Sequence, residues 1–212
     1  MGKQLKNYSS LAATLFLFLC ASSAHAAVGI FGSYIGVDGT WYGASQPGSN
    51  YLTAFDGNDL GSYNVGDNLL LSGAELLTYK NSGSDVTNGH IFYNVHDQGV
   101  GPGSFIDVPV GWTNNTPFND AANNTFSNPG DQKWSGISST PDLLTGLGAG
   151  SYEVEVYLMI NSSEGDIYDS NSGANYVATF TVSSPAAIPE PAGCLLALFG
   201  ALTWLALGRR RR

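Results

Sequence analysis

Three acidic side chains close together, Glu164, Asp166 and Asp169, are the first residues of this chain whose type and spacing suit chemistry. Two carboxyl groups held about 5 Å apart can divide glycoside hydrolysis between a nucleophile and a general acid. Alternate positions of a strand share a face, so such a segment can aim carboxylates into one cleft. With Asn171, the same residues also supply hard oxygen donors of the kind Ca²⁺ collects. Asp56, Asn58 and Asp59 form a second oxygen-rich cluster. Neither has EF-hand spacing. The plainer reading is a solvated acidic loop, because Asn161-Ser162-Ser163 and Ser170-Asn171-Ser172-Gly173 flank the first cluster with turn formers.

Trp41, Trp112 and Trp134 offer a different chemistry. An aromatic face attracts the C–H edges of a sugar ring, and amide and acidic neighbours can take the hydroxyls. The competing reading is burial, since tryptophan is highly buried on average. Glu153 and Glu155 share a strand face, and the alternation around them points that face to solvent. His90 and His96 stand six residues apart with no cysteine nearby, which fits no zinc pattern and suits surface or edge-strand positions. No G-x-S-x-G elbow occurs.

Strands must position these groups. From Ser151 to Ile160 the residues Tyr152, Val154, Val156, Leu158 and Ile160 alternate with Glu153, Glu155, Tyr157 and Met159, the mark of a half-buried strand. Ile91–His96 and Asn175–Val182 alternate in the same way. Further strands are expected at Ser33–Val37, Tyr51–Phe55, Asn68–Leu71, Glu75–Lys80 and Phe105–Val110. Turns are expected at Asp38-Gly39, Asp56-Gly57, Asn81-Ser82-Gly83, Asn88-Gly89, Pro129-Gly130 and Gly148-Ala149-Gly150. Thr113–Gly130 reads as a long polar loop, and Leu143–Leu147 as one short helical turn. Many short strands without a helical stripe predict an all-β fold, a single antiparallel β-sandwich of jelly-roll or immunoglobulin-like type.

The ends differ from this middle. Residues 1–26 have the parts of a secretory signal peptide: Lys3 and Lys6, an apolar run from Leu11 to Cys20, and an A-x-A site at Ala24-His25-Ala26 that sets Ala27 first in the mature chain. Near the other end, Pro189-Glu190-Pro191 precedes an uncharged apolar run, 192–208, and then Arg209-Arg210-Arg211-Arg212. As a helix that run spans roughly 25 Å, just short of a ~30 Å hydrocarbon core. The arginines belong on the cytoplasmic side. The exported domain is therefore 27–186, and 187–212 is a tail with a transmembrane helix.

Charge sharpens the contrast. Of eight Lys and Arg, only Lys80 and Lys133 fall in the exported domain, against sixteen of the seventeen acidic residues, leaving it at −14. Such a field repels nucleic acid, which is excluded as a partner. The two cysteines, Cys20 and Cys194, lie in the apolar end segments, so the domain has no disulfide.

The C-terminal pattern closely resembles the PEP-CTERM sorting signal of Gram-negative bacteria, on Ile188-Pro189-Glu190-Pro191, the apolar run and the terminal arginines. The resemblance covers about the last 25 residues. It implies an exosortase as processing enzyme, a transient inner-membrane stage, and delivery to the cell surface or extracellular matrix among exopolysaccharide and biofilm. Glu164–Asp169 is similar to the E-x-D-x-x-E signature of a jelly-roll glycosidase family, with Asp169 in place of the last Glu and Gly165 in place of an apolar residue. The segments Thr78–Thr87 and Phe92–Val95 look like β-sandwich modules of secreted bacterial proteins, which implies no activity. The expectation is a non-catalytic binding or structural protein of the cell surface with polysaccharide as partner. Its alternative is a secreted carbohydrate-active enzyme using Glu164, Asp166 and Asp169. No cofactor is expected; Ca²⁺ on Glu164, Asp166, Asp169 and Asn171 is the alternative to the solvated loop.

Overall fold

The computed structural model describes residues 28–45, 50–81 and 83–185. Within them lie twelve strands: β1 Val28–Val37, β2 Thr40–Ser45, β3 Asp59–Asn64, β4 Leu71–Lys80, β5 Val86–Asp97, β6 Ile106–Asn115, β7 Phe118–Asn119, β8 Thr125–Phe126, β9 Asp131–Ile137, β10 Gly150–Ser162, β11 Gly165–Asp169 and β12 Tyr176–Ser183. Ten form one sheet in the order β2-β1-β4-β9-β6-β5-β10-β12-β3, with β11 beside the far half of β10, and β7–β8 make a separate hairpin. Every pairing is antiparallel except β12 with β3. The sheet curls so that β1 faces β10 and β4 faces β5 across one core. The fold is thus all-β, a curled and mostly antiparallel sheet of sandwich type.

Alternation explains the core. Tyr152, Val154, Val156, Leu158 and Ile160 of β10 are all buried, with Ile91 and Tyr93 of β5 and Tyr176, Ala178, Phe180 and Val182 of β12. Each fully buried Leu or Ile contributes about 1.5–3 kcal/mol over exposure. Asp38-Gly39 closes the β1–β2 hairpin with positive φ at both residues, 47° and 78°, the geometry that matches strand twist.

Several expectations are corrected. Tyr51–Phe55 is turn: Phe55 and Asp56 bond back to the Leu52 carbonyl, at 2.9 and 3.0 Å. Its apolar residues Leu52 and Phe55 plug the core. Of Asn68–Leu71 only Leu71 belongs to β4, and Leu70 makes a lone bridge to Asp142. Asn88-Gly89 runs inside β5. A Cβ on Gly89 would meet Leu76 Cδ1 at 3.1 Å, so this glycine serves close packing and makes no turn. Of the loop expected over Glu164–Asp169, only Glu164 lies in a turn; Gly165–Asp169 is β11, joined to β10 by that two-residue turn.

The expected loop Thr113–Gly130 is also partly built. β6 runs to Asn115, and β7–β8 folds over the outer face of β1 and β4, where Phe118 and Phe126 pack with Phe31, Tyr34 and Leu77. Asp120 ties this flap down. It accepts from Tyr34 Oη at 2.8 Å, Ser45 Oγ at 2.6 Å and the Asn124 amide at 2.8 Å. Burial opposes ionisation of Asp120, but those donors outweigh it and hold the carboxyl below its usual range. Burial pushes the Tyr34 hydroxyl up to about 12. Beneath the flap, Lys133 meets the buried Glu75 at 2.7 Å, and the Ala121 amide donates to Glu75 at 3.0 Å.

Candidate functional site

Trp41 lies on β2 opposite Gly36 of β1, and Gly36 lies opposite Gly73 of β4. Two adjacent strands therefore present bare Cα atoms beside the indole. Its six-membered ring extends onto Gly73, where a Cβ would stand 2.7 Å from Cη2, 3.2 Å from Cζ2 and 3.5 Å from Cζ3. The glycines are a floor, and any side chain at Gly73 would lift the ring. Trp41 remains 44 % exposed, and among the described residues no aromatic ring stacks on it. Gly39 N–H donates to Ser72 Oγ at 3.1 Å, placing a hydroxyl beside the glycine floor. An indole seated against a sheet, with surface left to solvent, can take the apolar face of a sugar.

Trp112 is also exposed, at 55 %, but it is on β6. Three strands separate β6 from β2, a gap of roughly 19 Å at ~4.8 Å per strand. The two tryptophans do not form one platform. Trp134 is a correction: it is 5 % exposed, packed in the core, and its Nε1–H donates to Thr78 Oγ1 at 3.3 Å. It sits on β9, paired on both flanks, directly opposite Leu76.

A second aromatic group occupies the outer face of β5, β10 and β11. Phe92 and Tyr157 are register partners, with rings stacked at 4.7 Å and 9°. His90 stacks on Phe92 at 5.9 Å, and Phe105 meets Tyr157 edge-on at 5.1 Å. Tyr168, 53 % exposed, tilts toward Tyr157 at 6.2 Å. Burial, then the neighbouring Tyr168 and Asp107, push the Tyr157 hydroxyl up. These rings spend their faces on one another.

The acidic residues go separate ways. Glu164 accepts from Ser84 Oγ. Asp166 accepts from Asn161 Nδ2 at 2.8 Å. Asp169 is 1 % exposed and turned into the fold, where it accepts from the Tyr176 hydroxyl and, at 3.5 Å, from Tyr51 N–H. Burial pushes its carboxyl up despite those donors. Asn171 Nδ2 donates to Asp56 at 3.0 Å. The four are not gathered round one point, and among the described residues no three His, Cys, Asp or Glu side chains form a group able to hold a metal ion. Asp56 accepts from the Val177 amide at 2.9 Å, and Asp59 from Gly61 N–H at 2.9 Å.

Glu155 is a further correction. It is 8 % exposed, although its strand position points outward. Asn175 Nδ2 donates to it at 2.6 Å, and His96 Nε2 lies 3.6 Å away, with Glu153 3.8 Å from His96 Nδ1. His90 is half-buried on a central strand and bonds Asp107 at 2.8 Å, so neither histidine sits on an edge strand.

Pro189, Glu190, Pro191, the arginines 209–212 and the cleavage residues Ala24, Ala26 and Ala27 lie outside the described residues. Among the described residues no helix is long and apolar enough to cross a membrane; the 192–208 segment is not among them.

No family model matches the chain, and no curated protein matches it. Among solved structures, the CooA pilin subunit of enterotoxigenic Escherichia coli is similar at 12 % identity, covering 72 % of this chain and 99 % of that one, with a TM-score of 0.22. A likeness that shallow carries nothing about function.

Proposed function

We propose that this chain is an exported, non-catalytic surface or matrix protein that holds exopolysaccharide on Trp41. The observation that carries the reading is the indole on its glycine floor, exposed and unstacked. Two supports come from elsewhere. The domain's charge of −14 suits a soluble, extracellular life and turns away nucleic acid. The acids Glu164, Asp166 and Asp169 are each committed to a different partner.

The two end segments supply the route. The signal peptide 1–26 delivers the chain to export. The tail holds it at the inner membrane until an exosortase acts at Pro189-Glu190-Pro191. The finer architecture we propose is a jelly-roll or immunoglobulin-like variant of the sandwich, supported by the single core between its two halves.

A glycan array with the exported protein, run with and without Ca²⁺, tests the binding. Wild type should bind at least one polysaccharide that the Trp41→Ala variant binds about tenfold more weakly. Equal binding by both proteins, or none by wild type, defeats the reading. The route has its own test: in a host lacking its exosortase the protein should keep its tail, and a tail lost there would defeat the sorting assignment.

A further inference from the structure

A cleft of about 400 Å³ opens between β5–β6 and the 141–147 turn. Its walls are Tyr93, Val95, Ile106, Pro141, Leu143 and Leu147. Such a size and such a lining are those of small-molecule sites, which combine apolar walls with a few placed polar groups.

Apart from the Thr145 hydroxyl, which belongs to an exposed residue, the polar groups of this cleft divide into two kinds. Some are already occupied. Asn94 accepts from Gly103 N–H at 3.3 Å and donates to the Ser104 carbonyl at 2.9 Å. Asp142 Oδ1 accepts from the Leu69 and Leu144 amides, each at 3.0 Å. Tyr93 is different. It is 8 % exposed, it lines the cleft, and its hydroxyl makes no hydrogen bond among the described residues. The ring is buried, and that burial pushes the hydroxyl up, while the oxygen itself has no partner among the described residues and is left to whatever enters the cleft. A phenol held in an apolar cleft, with its hydrogen-bonding capacity unspent, is half of a recognition pair.

We propose that this cleft binds a neutral, mainly apolar small molecule whose single hydrogen-bond acceptor is met by the Tyr93 hydroxyl. The walls bring no basic residue, and the only charged one, Asp142, repels anions. At the ~30 Å³ share of a water molecule, the space holds roughly a dozen non-hydrogen atoms. An aryl ketone or a short acyl group with one carbonyl is the matching class. This site shares no residue with the Trp41 platform and does not depend on it.

Ligand-detected saturation-transfer NMR on the full-length protein tests it with two probes, 4-ethylacetophenone and 1,4-diethylbenzene. The first carries the carbonyl; the second keeps only the apolar body. Tyr93→Phe should weaken the ketone about threefold to tenfold, the range of one hydrogen bond, and leave the hydrocarbon unchanged. Leu147→Trp, which fills the cleft, should abolish both signals, and Ile106→Trp does the same by another wall if the first variant misfolds. Equal ketone affinity in wild type and Tyr93→Phe overturns the proposal, as does ketone binding that survives both filling variants.

Discussion

Trp41 and the Phe92–Tyr157 pair sit on outer surfaces of the same curled sheet, and both belong to residue types that recognise sugars. Their supports differ. Phe92 and Tyr157 are direct cross-strand neighbours with bulky partners, so the rings rise from the sheet and stack face to face at 4.7 Å. Trp41 has glycines where its cross-strand neighbours would carry side chains, so the ring extends over Gly73 and stays 44 % exposed. A ring beside a ring is closed by its neighbour; a ring beside glycine keeps a face for something else. Aromatic content alone therefore does not mark a binding surface. What the next strand places beneath the ring decides it.

The largest expected effect lies in the stacked group. Phe92→Ala should lower folding stability by about 2 kcal/mol, through lost burial and the broken stack, yet leave polysaccharide affinity intact. Urea melts and a pull-down on the same preparation check both parts, and a binding loss would erase the contrast. Trp41→Ala should do the reverse. Affinity should fall about tenfold, a loss of about 1.4 kcal/mol that only a minority of interface residues reach, while the urea midpoint moves by less than half of the Phe92→Ala shift. Gly73→Ala sharpens the point without touching an aromatic. The new methyl should tilt the indole and weaken binding about threefold, with Trp41 fluorescence shifted in the free protein; unchanged affinity would mean the floor is irrelevant.

The smallest effect concerns Asp169, which follows Tyr168 on β11 and points the opposite way, into the fold. Its pKa is raised by burial, so the folded state holds this proton more tightly than the unfolded chain does. The stability it lends is full below the ordinary Asp value of about 3.9 and is lost as pH rises through the folded value. Asp169→Asn keeps the acceptor for Tyr176 and cannot ionise. Its melting temperature should fall less than that of wild type as pH rises above the ordinary Asp value of about 3.9. Parallel curves would mean that Asp169 titrates alike in both states.

Legibility followed the same division. β10, β5 and β12 could be read from alternation because one face of each is buried and the other is not. β2, β3 and β11 could not. Thr40–Ser45, Asp59–Asn64 and Gly165–Asp169 bury little of their own, and pairing with a neighbour, which leaves no trace in their composition, makes them strands. Trp112 and Trp134 are alike in sequence and face each other in register, yet only one enters the core. Trp41 was visible as a candidate; its floor was not, because Gly36 and Gly73 become neighbours only once β1 and β4 pair. Glycines inside strands were the available signal. The Phe92–Tyr157 stack needed register as well.

One pairing bears on force. β12 is the last strand of the described residues, and it is bonded along both sides, antiparallel to β10 and parallel to β3. Thr181 Oγ1 donates to Ser62 Oγ at 2.8 Å across the β3 side. A load aligned with the axis of β12 has to shear two rows of hydrogen bonds at once, whereas a load across it can unzip them bond by bond. Under an axial load this last strand of the described residues acts as a clamp, held from both flanks.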